Sequence, residues 1–249
     1  MRRCLLFLLF ASTLCAGAAR AQEFERGPDG GTTFHVSGVE LLAIPGKPFS
    51  GKSNIEWTRT AEDGTNVVVL LQATLARDGQ GRMYRERRSF VPLGSGERPR
   101  LNEVHLYDPV SRTQALCAAR TFVCVITDYR PTTTFTAQPA GTYANGTRFL
   151  ERKTLGGDVM EGVNVIGTRE TRTIKEGTAG NDRPLVWTRE FWYSPELETN
   201  MLVTRIDPRE GKQVVRLSDL ALGEPDPHMF DIPPGYTVRD ERASVHRNR

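Results

Sequence analysis

Apolar and polar residues alternate along most of this chain, and the alternation has the two-residue period of a strand. Ile55 to Thr60 alternates, Asp63-Gly64 turns, and Val67 to Ala76 is a long run of β-branched residues and leucine. Asp78-Gly79-Gln80-Gly81 turns again, and Arg82 to Phe90 continues extended. The rhythm recurs at Val104 to Tyr107, the Asp108-Pro109 turn, Gln114 to Cys117 and Phe122 to Ile126. After a polar, Thr/Pro-rich stretch from Pro131 to Gly146, strands are predicted at Arg148 to Thr154, Asp158 to Val165, Gly167 to Ile174, Leu185 to Tyr193, Met201 to Asp207 and Gln213 to Leu217. Past the N-terminal segment, apolar residues at helical spacing over three turns occur nowhere. The pattern predicts an all-β, antiparallel protein.

Two strands carry more information than their period. Val67 to Leu71 is apolar on both faces, which predicts a central strand covered on each side. Its hairpin partner, Arg82 to Arg88, carries charge on both faces. That makes it a sheet edge protected by its charges or the polar wall of a groove, and the edge is the reading preferred. Near the C-terminus, Asp226 is placed to cap a single helical turn with Pro227 at its first position, setting Met229 and Phe230 against the sheet before Pro233-Pro234-Gly235 ends it.

The first 21 residues change the picture of compartment and charge. Arg2 and Arg3 precede the apolar run Leu5 to Phe10, and Ala19-Arg20-Ala21 before Gln22 has the small-x-small pattern of a cleavable secretory signal. The run is too short for a membrane anchor, which takes roughly 20 apolar residues. The expectation is a signal peptide over 1–21, a single β domain over 22–240 and a disordered basic tail over 241–249, in a periplasmic or secreted protein. Arg2, Arg3 and Arg20 leave with the signal, so the 33 basic residues of the full chain come level with its 30 acidic ones. A neutral mature chain gives no reason to expect nucleic acid as the partner. Of the four cysteines, Cys4 and Cys15 leave too, and Cys117 and Cys124, flanking a short turn between strands, read as a disulfide in an oxidising compartment. His35, His105, His228 and His246 are scattered, and none lies at ligand spacing from the cysteines, so no metal site and no cofactor is expected.

Three stretches invite chemistry. Gly46-Lys47-Pro48-Phe49-Ser50-Gly51-Lys52-Ser53 fits the phosphate-loop expression, but a helix must follow it, and Asn54 to Thr60 alternates as a strand. Nucleotide binding is not expected. Gly94-Ser95-Gly96 lacks the flanking residues of a nucleophile elbow. Glu190, Glu196 and Glu198 are a carboxylate cluster whose separation the sequence does not fix, and carboxylates bordering a strand end are usually solvated.

A resemblance joins these pieces. Pro48-Phe49-Ser50, Arg77-Asp78-x-x-Gly81-Arg82-x-x-Arg85-Glu86, Gly180-Asn181-Asp182-Arg183-Pro184, Glu190-x-Trp192-Tyr193-Ser194-Pro195-x-Leu197 and Glu224-Pro225-Asp226-Pro227-x-x-Phe230-x-x-Pro233-x-x-Tyr236 resemble a family of uncharacterised exported bacterial β-rich proteins. More distantly, the order of a meander, a Glu-x-Trp-Tyr strand and a closing Phe-x-x-Pro-x-x-Tyr segment is similar to the periplasmic lipoprotein-carrier and sigma-regulator-binding, LolA-like, superfamily. That resemblance implies a curved antiparallel sheet or incomplete half barrel, with at most short helical turns, that holds acyl chains on its concave face.

The reading that follows is a non-catalytic envelope protein binding an apolar ligand, such as a lipid or lipoprotein acyl chain, on a surface lined by Trp57, Val69, Leu71, Trp187, Phe191 and Tyr193. Alternation puts Trp187, Phe191 and Tyr193 on one face and Glu190 and Trp192 on the other. The alternative is a module that docks another envelope protein through Arg82, Arg85, Glu86 and Trp192. A hydrolytic enzyme would need two carboxylates, or a histidine and a nucleophile, converging in one cleft.

Overall fold

The computed structural model describes residues 39–129, 131 and 138–242, so the signal segment and most of the basic tail lie outside the described residues. Among the described residues, fourteen strands form a single open sheet. A first meander comprises β1 (Phe49–Thr60), β2 (Asn66–Arg77), β3 (Met83–Arg88), the two-residue β4 (Val91–Pro92), β5 (Leu101–Asp108), β6 (Thr113–Ala118) and β7 (Val123–Asp128). A second comprises β8 (Gly141–Tyr143), β9 (Arg148–Met160), β10 (Val163–Ile174), β11 (Leu185–Ser194), β12 (Thr199–Asp207) and β13 (Gly211–Leu222). Pairing of β1 with β13 fuses the two, and the sheet runs from β14 (Thr237–Asp240) at one edge to β8 at the other without closing. All pairs are antiparallel except β14 on β7. This is the expected all-β, curved-sheet or half-barrel class.

Alternation explains the strands. In β1, Phe49, Gly51, Ser53 and Ile55 are buried while the residues between them are not. The main core gathers Ile55, Leu71, Leu75, Val203, Val215 and Leu217 with Val39 and Leu41, which precede β1. Each such side chain, fully buried, stabilises the fold by about 1.5–3 kcal/mol. A second core holds Val104, Leu106, Ala115, Cys117 and Cys124, covered by Ile232 and Tyr236 of the C-terminal segment. Cys117 and Cys124 are direct cross-strand partners and are joined as a disulfide. Between the cores and β14, Asp226 caps a 3-10 turn over Pro227–Phe230, its side chain accepting from the N–H of His228, as the sequence predicts.

Four expectations need correction. Gly156-Gly157 and Gly167 do not separate strands, because β9 and β10 run continuously past them. They face each other across the hairpin, where the register slips between Gly167 and Thr168. Here glycine marks a bulge and a close approach. The true turn is Glu161-Gly162, both residues at positive φ, the pattern of a tight hairpin turn.

The apolar run of β2 is covered in its second half only. Val67 is 44% exposed while Leu71, Ala73, Leu75 and Ala76 are buried. The third correction concerns β3, which is no edge but lies between β2 and β5. Its charges are answered internally, since Glu86 accepts from Arg88 Nε at 2.7 Å, Tyr84 Oη at 3.0 Å and the N–H of Thr74 at 2.9 Å. Finally, β14 was not anticipated, being short, exposed and paired with a strand more than a hundred residues away.

Candidate functional site

Cross-strand register sorts the side chains of one face into rows, because directly paired residues point the same way. Thr168, Phe191, Val203, Val215, Ile55 and Leu71 are successive partners across β10, β11, β12, β13, β1 and β2. This row is the apolar floor of the main core, with Phe191 packed against its buried members. Two residues further along every strand the row changes to Arg152, Glu170, Arg189, Arg205, Gln213, Trp57 and Val69. Beyond it come Leu150, Arg172 and Trp187, and then Arg148, Ile174 and Leu185 at the strand ends.

Over these outer rows lies a cleft of about 550 Å³, lined among others by Phe149, Leu150, Ile174, Leu185, Trp187 and Ile206. That volume falls in the range of small-molecule sites, ~300–1,000 Å³. Five arginines, Arg148, Arg172, Arg189, Arg205 and Arg209, also line it, against three carboxylates, Glu170, Asp207 and Glu210.

Two of those carboxylates are committed to arginines. Glu170, only 2% exposed, accepts from Arg152 Nε at 3.0 Å and Nη2 at 2.5 Å on one oxygen and from Arg189 Nη2 at 2.6 Å on the other. Burial alone would push its carboxyl up, but the hydrogen bonds and charges of the two arginines prevail and hold it below its ordinary value. Asp207 is treated alike. Burial pushes it up, and the backbone and side-chain donors of Arg209, with a hydrogen bond from Trp187, bring it down. The Arg209 guanidinium lies 5.1 Å from the centroid of the Trp187 ring. The cleft therefore joins an apolar wall to an arginine-rich one.

Five of the six residues expected at a ligand surface, Trp57, Val69, Leu71, Trp187 and Phe191, stand in these rows, but they do not share the cleft. Trp187 lines it. Trp57 and Val69 continue the arginine row, with Trp57 Nε1 donating to the carbonyl of Glu210 at 2.7 Å and Arg59 lying 4.6 Å over its ring. Leu71 is buried in the core, Phe191 packs on it, and Tyr193 is 37% exposed at the far end of β11. The residues expected at a docking surface are engaged within the chain. Arg82 donates to Asp78 Oδ2 at 2.6 Å, Arg85 lies 3.9 Å from Glu40, and Trp192 Nε1 donates to Glu190 at 3.2 Å, while the Trp192 ring covers Gly167.

The stretches that invited chemistry dissolve. Lys52 and Ser53 lie inside β1, where Lys52 pairs with Asp219 at 2.9 Å and Ser53 accepts from the N–H of Val39. Glu190 is held by Arg169 at 2.7 Å and Glu198 by Lys47 at 2.8 Å. Among the described residues, no group of three His, Cys, Asp or Glu side chains is placed to hold a metal.

Sequence reasoning passed over Glu170, Arg172, Arg189 and Arg205. The available signal was phase, because Arg189 and Arg205 stand two residues from Phe191 and Val203 and so occupy inward positions of otherwise apolar strands.

No protein-family model and no curated protein matches the chain. Solved structures do. An uncharacterised conserved protein from Thermus thermophilus is similar at 9% identity with a TM-score of 0.40, over 78% of this chain and 91% of that one. The Pseudomonas aeruginosa MucA/MucB complex is similar at 9% identity and a TM-score of 0.39, with 79% of this chain matched to 59% of that one. A LolA superfamily protein from Nitrosomonas europaea is similar at 12% identity and a TM-score of 0.28, over 76% of this chain and 91% of that one. These are the kinds of protein the sequence resembles, but likenesses so loose assign no site and no ligand here.

Proposed function

We propose that this chain is an exported, non-catalytic binding protein that takes the apolar part of a lipid or other small amphiphile into the cleft over β9 to β13. Export is supported by Met1 to Ala21, with its basic start, apolar run and small-x-small end. Binding is supported above all by one observation, a cleft of about 550 Å³ whose wall includes Trp187, Ile174, Leu185 and Ile206. Apolar lining with a few convergent polar groups is the composition of a ligand site. The row of Phe191, Val203 and Val215 packs into the main core beside it.

Native mass spectrometry of protein purified from its own envelope, followed by titration of the delipidated protein with the uncharged fluorescent probe N-phenyl-1-naphthylamine, tests this. A bound small molecule and saturable probe uptake, abolished in Leu185→Glu, are expected. No probe uptake, or uptake unchanged in Leu185→Glu, overturns the reading. So does recovery with a stoichiometric protein and no small molecule, which would favour docking through Arg82, Arg85, Glu86 and Trp192.

A further inference from the structure

One rim of the cleft is built differently from its floor. Gln138, Tyr143 and Ala144 line it from β8 and the residues beside that strand, while the lining residues named above belong to β9 to β13 and the turn between β12 and β13. β8 is three residues long, stands at the sheet edge and pairs with β9 at Gly141, Thr142 and Tyr143. Gly141 and Thr142 are exposed. Backbone pairing so short and so exposed opens at much lower cost than the core strands do. One side chain reaches from the inner wall to this rim. Arg152 Nη2 donates to Glu170 at 2.5 Å and also to the carbonyl of Gln138 at 2.9 Å. Glu170 is a fixed anchor, since it is buried and its other oxygen is held by Arg189 at 2.6 Å. Within the rim, Tyr143 Oη donates to the carbonyl of Pro139, which braces residues 139–143 as a unit.

We infer that β8 and residues 138–140 form a gate beside the cleft, with Arg152 as its latch. Swinging this rim off β9 breaks the pairs of one short edge strand and the bond from Arg152 to Gln138. The strands β9 to β13 and both cores stay in place, because β8 contributes no member to either core. Arg152 is a positioning residue. It is not part of the cleft lining and acts by holding the Gln138 carbonyl against the anchored carboxylate of Glu170. A gate that opens alike in the free and the loaded protein sets the rates of entry and release and leaves affinity unchanged. This inference rests on the binding role proposed above and adds the control of the same site.

Stopped-flow mixing and dilution with N-phenyl-1-naphthylamine, alongside equilibrium titration, tests the latch. Arg152→Lys keeps a positive charge beside Glu170, but the ammonium sits on a shorter stem and lacks the fork that spans to Gln138. Entry and release are expected to quicken together by about tenfold, the low end for a charge-assisted hydrogen bond because this one is exposed, with affinity changed by less than about twofold. The double variant Thr142→Cys, Phe149→Cys joins direct partners across β8 and β9 and locks the gate when oxidised. Oxidised, it is expected to exchange probe about tenfold or more slowly than the same protein reduced. The natural chain, whose Cys117 and Cys124 are fully buried, is expected to exchange alike under both conditions. Unchanged rates in Arg152→Lys, or faster release with a matching loss of affinity, which marks a damaged wall, overturns the latch. Equal exchange by the oxidised and reduced double variant overturns the gate, whatever Arg152→Lys does, and leaves the cleft standing as a binding site. No probe uptake by the natural chain overturns the binding role and the gate together.

Discussion

The guanidinium of Arg77 donates to the carbonyl oxygen of Leu197, 120 residues further along the chain, at 2.5 Å. The same group donates to the carbonyls of Lys47 at 2.9 Å and Leu42 at 3.1 Å, and it is fully buried at the end of β2. One side chain thus ties the segment before β1, the β11–β12 turn and the sheet together. Methionine of similar length would leave the buried carbonyl of Leu197 and the part-buried one of Lys47 without this donor, each costing about 1–3 kcal/mol, while the Leu42 carbonyl keeps the N–H of Ile44. Arg77→Met should therefore lower stability by about 2 kcal/mol or more. Arg77→Lys should rescue little, because an ammonium lacks the planar fork. Urea unfolding followed by tryptophan fluorescence measures both, and a loss under about 1 kcal/mol for Arg77→Met would show that the carbonyls find other donors.

Glu170 makes stability depend on acid. Its carboxyl lies below the ordinary 4.5 in the folded chain, so the ionised group contributes stability above that pH. The contribution is lost as the pH falls through the lower folded value. Urea midpoints measured between pH 7 and pH 3 should fall for the natural chain and fall less steeply for Glu170→Gln. At pH 7, Glu170→Ala should cost about 3–5 kcal/mol, because Arg152 and Arg189 are left with a buried vacancy between them. An acid limb identical in Glu170→Gln and the natural chain would assign the acid sensitivity elsewhere.

The strands were legible because a half-buried strand repeats every two residues, and Ile55, Val203 and Val215 keep that phase without a break. The turn at Asp63-Gly64 and the cap at Asp226 were legible because each is set by local backbone chemistry. What was lost depends on distant partners. Gly156 and Gly167 look like breaks until they are seen facing each other across a hairpin. The charges of β3 look like a protected edge until Glu40, Asp78 and Thr74 are brought to them. Less of the candidate site was legible. Alternation put Trp187, Phe191 and Tyr193 on one face, and of these Trp187 lines the cleft, which sits over the rows where Arg172, Arg189 and Arg205 interrupt the apolar phase. A concavity is a property of assembled strands, and no single strand encodes it.

The hairpin bearing Cys117 and Cys124 closes a loop with a sequence separation of 7. Constraint of a loop that short stabilises by about 2–3 kcal/mol through the unfolded chain. Replacing both cysteines with alanine should lower the urea midpoint accordingly, with the second core around Val104 and Leu106 the first to loosen. Reductant should shift the natural chain and leave the double variant unchanged, and an equal shift in both would mean that the reductant acts through something other than this bond.

Gly167 offers the sharpest geometric test. A Cβ built there would stand 2.8 Å from Trp192 Cη2 and Cζ3 and 2.9 Å from Cε3, closer than any packed carbon tolerates. Trp192 is pinned as well by its bond to Glu190, which Arg169 holds in turn, so the ring has little freedom to retreat. Gly167→Ala should therefore destabilise by about 1–3 kcal/mol, the usual cost of overpacking. Gly157 has its nearest neighbour, the carbonyl of Val165, at 3.6 Å and an ordinary φ, so Gly157→Ala should be neutral or stabilise by up to about 1 kcal/mol. The two glycines sit within one hairpin at the same bulge, so β-propensity largely cancels between them, while Gly167 is buried and Gly157 exposed. Opposite signs in urea unfolding, with a changed tryptophan emission in Gly167→Ala alone, are the expected outcome. Equal effects would mean that the contact between Trp192 and Gly167 does not set the geometry of β10 and β11.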